Sequence, residues 1–92
     1  MIPNSVNIFG HNYTVRICDQ SVMGDDLGNF LHTTTEILLN SGQSQTQMES
    51  TLVHEIIEAI NEHQKLGLDH SNIVRLETGL YQVLKDNKLD FS

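Results

Sequence analysis

Residues 51–60 carry side chains suited to metal chemistry. His54 and Glu58 are four residues apart, so on a helix their side chains lie on one face, one turn apart. An imidazole and a carboxylate are both good zinc ligands, at about 2.0–2.2 Å from the metal. Glu55 is one residue further on, where its carboxylate can reach a metal-bound water without ligating. The segment therefore predicts metal-assisted hydrolysis, with Glu58 replacing the second histidine of the His-Glu-x-x-His pattern.

A second set of polar residues follows at helical spacing, with His70, Glu77 and Tyr81 on one stripe. Because a catalytic zinc site takes three protein ligands and one open position, we predict His70 as the third ligand beside the first two. Glu77 is the competing third ligand; otherwise it orients a histidine from outside the metal's ligand set. Tyr81 is predicted to donate to a developing oxyanion. If the two helices pack as a hairpin, the two sets face each other.

The other histidines give weaker signals. His11 lies in a turn, and the sequence does not decide whether His32, in a hairpin, points toward the site or toward solvent. His63 is nine residues past His54 on a different helix face, and it is predicted to be solvated.

The first forty residues have the alternation and turn residues of two β-hairpins. Residues 6–9 and 13–17 are predicted to pair across a tight turn. Residues 29–33 and 35–39 are rich in β-branched and apolar side chains and are predicted to form the second hairpin.

The period then becomes helical. Ser44 and Thr46 each begin a capping box, which predicts a helix beginning at 45–47 and ending near Gly67. A second helix is predicted to begin at 69–71 and to end at 86–88. Its predicted core stripe is Ile73, Leu76, Leu80, Val83 and Leu84. The predicted fold is α+β: one domain over residues 1–92, with a small twisted antiparallel sheet of three to four strands packed on two helices.

The charge balance excludes some classes of partner. Twelve acidic residues against five basic ones give a net charge of −7, which disfavours nucleic acid and anionic membranes because both require a basic footprint. The single cysteine, Cys18, forms no internal disulfide and is predicted to be a small buried apolar residue. No apolar run reaches membrane-spanning length, and a soluble, cytoplasmic protein is expected.

Three segments, residues 36–39, 52–61 and 77–84, together resemble small phage-encoded zinc metallopeptidase-like proteins. These are related in outline to the ImmA/IrrE and SprT-type peptidases. The resemblance implies a minimal zincin core in the host cytoplasm, with His54 and His70 as zinc ligands and Glu55 as the base. It also implies that residues 34–39 form an edge strand beside the cleft, able to pair with an extended peptide. Glu58 departs from the family motif, and its negative charge would make zinc a weaker Lewis acid.

Three hypotheses follow. The first is a zinc-dependent peptidase that acts on a peptide or protein substrate. The second is a catalytically weak metal-binding scaffold that inhibits or redirects a host protein as its partner. The third is a plain α+β domain without a site. Removal of the Glu55 carboxylate separates the first from the second, and metal content separates both from the third.

Overall fold

The computed structural model describes residues 1–91, which form one four-stranded sheet and three helices. The elements in chain order are β1 (Ser5–Ile8), β2 (His11–Cys18), α1 (Gln20–Met23), β3 (Gly28–Leu31), β4 (Glu36–Asn40), α2 (Gln45–Gln64) and α3 (His70–Asp86). The strand order across the sheet is β1-β2-β4-β3. The α+β prediction is therefore confirmed, with α1 as an additional short helix.

Both predicted hairpins are present. β1 pairs antiparallel with β2, and β3 pairs antiparallel with β4. The first turn consists of Phe9 and Gly10, whose φ angles of 51° and 85° are both positive. Positive φ at both central positions is typical of the two-residue turns that match the twist of paired strands. Local turn chemistry thus determines the first hairpin.

The sheet is mixed, and the prediction of an antiparallel sheet is wrong on this point. β2 and β4 are each the second strand of a hairpin, and they lie side by side and parallel, with Val15 opposite Ile37. This arrangement makes β4 an interior strand, so the expectation that residues 34–39 form the edge beside the cleft is also wrong. The edges are β1 and β3.

The core lies between the sheet and α2. Its fully buried centre is Tyr13, Ile37 and Leu39 from the strands together with Ala59 from α2. Burial of such side chains contributes about 1.5–3 kcal/mol each for the larger aliphatic ones. Cys18, predicted to be buried, is only half-buried and has a free thiol.

Side-chain caps fix the start of both long helices. The Ser44 hydroxyl accepts a hydrogen bond from the Gln47 backbone N–H at 3.2 Å, and the Asp69 carboxylate accepts one from the Asn72 N–H at 2.9 Å. Each cap satisfies a backbone donor that has no partner within its helix. α2 ends at Gln64, three residues before the predicted stop, because Lys65 adopts the left-handed conformation (φ 51°).

The apolar stripe predicted for α3 is only partly buried. Ile73 is 1% exposed, but Leu76, Leu80 and Val83 are 48%, 44% and 42% exposed. α3 packs mainly against α2 and presents the polar stripe that contains Glu77 to it, so Leu76, Leu80 and Val83 stay exposed, whereas Leu84 is half-buried. Within residues 1–91, no helical segment combines the length and apolarity that a bilayer crossing requires.

Candidate metal centre

The hairpin of α2 and α3 brings together the three residues predicted as metal ligands. One ligand atom from each of His54, Glu58 and His70 lies within 4.8 Å of the other two. The His54 Nε2 is 3.4 Å from the Glu58 Oε2, and the His54 and His70 ring centroids are 5.3 Å apart. Two imidazoles and a carboxylate form a donor set suited to zinc.

Glu77 holds His54 from the side opposite Glu58. Its Oε1 lies 2.8 Å from the His54 Nδ1, and its other oxygen accepts a hydrogen bond from the Ser50 hydroxyl. A carboxylate acceptor favours the tautomer with the proton on Nδ1, which leaves the Nε2 lone pair directed toward Glu58. Of the two roles predicted for Glu77, the geometry favours orientation of a histidine over ligation.

We expect Glu77→Ala to weaken zinc binding by about 10–100-fold, because His54 then loses the partner that fixes its ring and tautomer. Glu77→Gln keeps a hydrogen-bond acceptor and should lose less affinity. Competition with a chromophoric chelator measures both. Equal affinity in the wild type and in Glu77→Ala would show that His54 needs no such support.

Glu55 is buried beside this group and lines a cavity together with His54 and His70. It is 7% exposed. Burial raises the pKa of Glu55 from 4.5 to about 7; His54 opposes the rise, and Glu58, Glu77 and Asp26 add to it. A buried carboxyl group with a pKa near neutrality has the property expected of a general base.

Gly28 in β3 allows α2 to approach the sheet at Glu55. A Cβ at this position would lie 2.5 Å from the Thr51 Cγ2 and 3.0 Å from the Glu55 Oε2. Real Cβ atoms essentially never come as close as 2.5 Å, and at 3.0 Å the carboxylate would have to shift by a few tenths of an ångström. The absence of a side chain at Gly28 therefore leaves the room that Thr51 and the Glu55 carboxylate occupy.

We therefore expect Gly28→Ala to destabilise the protein by about 1–3 kcal/mol, the usual cost of overpacking. Gly79→Ala is the matched control. Nothing lies within 4 Å of a Cβ at Gly79, and alanine in the interior of α3 should stabilise by roughly 0.5–1 kcal/mol. Urea unfolding measures both changes. A neutral or stabilising Gly28→Ala would show that β3 and α2 are not tightly packed.

The cavity beside the two candidate histidine ligands has a volume of about 450 Å³. His54, Glu55 and His70 line it on the helix side, and Asp25 and Asp26 line it on the loop before β3. The lining holds acidic residues and no lysine or arginine, so the cavity favours cations and neutral or basic groups over anions.

Tyr81 does not lie in this cavity, and its predicted role as an oxyanion donor is not supported. Its hydroxyl donates to the Glu49 Oε1 at 2.5 Å, and the Lys85 Nζ donates to the same oxygen at 2.8 Å. The hydrogen bond from Lys85, followed by those from Tyr81 and Gln45, lowers the pKa of Glu49 to about 2. Tyr81 thus joins the two helices at the end away from the ligands.

His63 is not solvated as predicted, because it faces the sheet. Its Nε2 lies 2.9 Å from the Tyr13 hydroxyl, and its ring contacts those of His11 and His32. The sequence spacing already indicates a different environment for His63, since nine residues place it on the face of the helix opposite His54. His32 therefore points toward this second group of rings and not toward the three ligands.

No protein-family model matches the sequence, and no curated protein or solved structure matches it significantly. The resemblance to small phage zinc metallopeptidase-like proteins stays a prediction from the residues that carry it.

Proposed function

We propose that this protein is a zinc-dependent hydrolase that acts on peptide bonds. One observation carries the proposal: three zinc-type ligands converge between α2 and α3, and the buried residue Glu55 lines the cavity beside the two histidines. A surface that is merely acidic has no reason to bury a glutamate beside two imidazoles, where burial raises its pKa to about 7.

Each residue has a role in this mechanism. His54, Glu58 and His70 hold the metal, and Glu77 fixes the His54 ring. Bound zinc supplies Lewis-acid polarisation and acidifies a water. Glu55 accepts the proton of the attacking water and later delivers it to the leaving amine. A nearby dication favours the charged form of the Glu55 carboxyl, so the base is ionised when it is needed.

The substrate is proposed to lie along β3. Within the described sheet β3 pairs only with β4, so its outer edge carries backbone groups able to pair with an extended peptide. Gly28, at its start, lines the cavity with Glu55. This edge takes the place that the resemblance gave to residues 34–39. We also propose a cytoplasmic location, which a single free cysteine fits.

Glu58 supports a second candidate function. As a ligand with negative charge it weakens the acidity of the zinc, which suits a metal-stabilised scaffold that binds a protein partner without cleaving it. Both candidate functions require bound metal, but only the hydrolase cleaves a peptide bond.

The Glu58→His substitution tests which function applies. It restores the His-Glu-x-x-His pattern, and we expect it to raise turnover per bound zinc by about tenfold or more, as one pKa unit of further water acidification would give. The assay is cleavage of a mixture of fluorogenic peptides, with and without chelator. Zinc bound in both proteins with no chelator-sensitive cleavage in either would favour the binding scaffold.

A further inference from the structure

A second group of imidazoles lies away from the candidate metal centre. His11 begins β2, His32 follows β3, and His63 belongs to the last turn of α2. The His63 ring centroid is 5.6 Å from that of His11 and 5.4 Å from that of His32. We propose that these three histidines form a second metal site, specific for borderline transition-metal ions such as Zn²⁺, Ni²⁺ and Cu²⁺.

The second site is independent of the first. His63 follows His54 by nine residues, about two and a half helical turns, so the two side chains leave α2 on opposite faces. His54 faces α3, where Glu77 holds it, and His63 faces the sheet, where it meets Tyr13. A single ion therefore cannot use both groups.

One pair in the second group has the same ring separation and interplanar angle as the two candidate histidine ligands in the first. The His32 and His63 rings are 5.4 Å apart at an interplanar angle of 63°, and the His54 and His70 rings are 5.3 Å apart at 61°. Imidazoles that share a tetrahedral ion at about 2.0–2.1 Å have centroids roughly 5 Å apart. The separation between His32 and His63 is thus close to that of a chelating pair.

Tyr13 fixes the central ring. It is fully buried, and its hydroxyl lies 2.9 Å from the His63 Nε2, so only Nδ1 of that ring remains for a metal. Tyr13 accepts the Nε2–H in the metal-bound form and thereby selects the tautomer with a free Nδ1. Tyr13 thus orients the His63 ring in the way that Glu77 orients the His54 ring.

The outer two rings have to rotate to close on an ion, because the ligand atoms of these three histidines do not all lie within 4.8 Å of one another. His11 and His32 are both exposed, so their rings can rotate about their side-chain torsions without disturbing the core. The turn of Phe9 and Gly10 holds the start of β2 over His63, and the Phe9 ring contacts that imidazole edge-on at 5.8 Å. When the site closes on an ion, the His11 ring leaves its stacked position on His63 and coordinates the metal.

The ligand chemistry determines which ions bind. Three neutral imidazoles suit zinc, nickel and copper, whereas calcium and magnesium require oxygen ligands. Three protein ligands leave one position for water. The net charge of −7 further favours a cation over an anion at this surface.

The test uses the full chain with the first site removed. In His54→Ala/His70→Ala, calorimetric titration with NiCl₂ or ZnCl₂ should still show one equivalent of bound metal. Adding His11→Ala and His32→Ala should abolish that equivalent, whereas adding Asn12→Ala and Thr33→Ala, exposed neighbours in the same segments, should leave it. Absence of binding in the first double variant, or binding that survives loss of His11 and His32, would overturn the proposal.

A second measurement does not depend on substitutions at the second site. In the His54→Ala/His70→Ala protein, substoichiometric Cu²⁺ should selectively broaden the imidazole NMR signals of His11, His32 and His63. Uniform broadening, or broadening of other residues alone, would count against the site. Because the first site is absent from this protein, the outcome does not depend on the proposed hydrolase.

Discussion

Replacing Glu55 with glutamine should reduce peptide hydrolysis by about 10²–10⁴-fold while leaving zinc affinity within a few-fold of the wild type. This range is the usual contribution of a positioned general base, and Glu55 lies beside the three ligands without belonging to them. Fluorogenic peptide assays and calorimetric zinc titration measure the two quantities. Glu62→Gln, an exposed carboxylate on the same helix, is the matched control and should change neither.

The same substitution should stabilise the zinc-free protein at alkaline pH. Burial raises the pKa of Glu55 from 4.5 to about 7, so between these values the folded protein holds a proton that the unfolded chain has released. Stability therefore falls as pH rises through this window, by on the order of 3 kcal/mol in total. Glutamine removes the penalty, so Glu55→Gln should be more stable than the wild type at pH near 8 and equally stable near pH 4.

Urea unfolding of the chelated proteins at the two pH values measures this difference. A Glu55→Gln variant that is less stable at both would show that the carboxylate has a structural partner. Survival of hydrolysis in the variant would show that Glu55 is not the base. The two results are independent, because the first concerns the metal-free fold and the second the loaded protein.

Loss of either histidine ligand should have the other large effect. His54→Ala and His70→Ala each remove one of three donors, and we expect zinc affinity to fall by at least about 100-fold. Bound zinc should raise the melting temperature of the wild type, and chelator should reverse the increase. Neither change should occur in the two variants.

These titrations are best made in a His11→Ala/His32→Ala background, where any zinc binding is due to the candidate centre between α2 and α3. His70 is exposed and lies at the first position of α3, so His70→Ala should fold like the wild type. Unchanged zinc affinity in His70→Ala would exclude it as a ligand and would return Glu77 to that role.

The sequence predicted the features that depend on neighbours along the chain. The caps at Ser44 and Asp69, the turn at Gly10 and the spacing of His54 and Glu58 are all encoded within a few residues. The polar stripe of α3 was also visible, and a short connection between the helices made its meeting with α2 predictable.

The features that the sequence did not predict arise between distant segments. Nothing within either hairpin specifies that the two join through β2 and β4, which makes the sheet mixed and moves the free edge to β3. Hydrophobic periodicity assigned Leu76 and Leu80 to the core, whereas the hydrogen bonds of Glu77 decide which face of α3 meets α2.

Two of the single-residue predictions that the structure does not bear out have the same origin. Tyr81 has the residue type of an oxyanion donor, but its hydroxyl donates a hydrogen bond to Glu49 at the start of α2. The sequence indicated that His63 lies on another face than His54, but only the position of the sheet shows that Tyr13 lies there.

The most direct test is a crystal structure of the zinc-loaded protein with anomalous diffraction at the zinc edge. We predict an anomalous peak between α2 and α3, within about 2.0–2.2 Å of one atom from each of His54, Glu58 and His70, with Glu77 on the His54 Nδ1 and Glu55 facing the open position. A fully loaded crystal with no peak among these three residues would contradict the proposed metal centre and the hydrolase that depends on it.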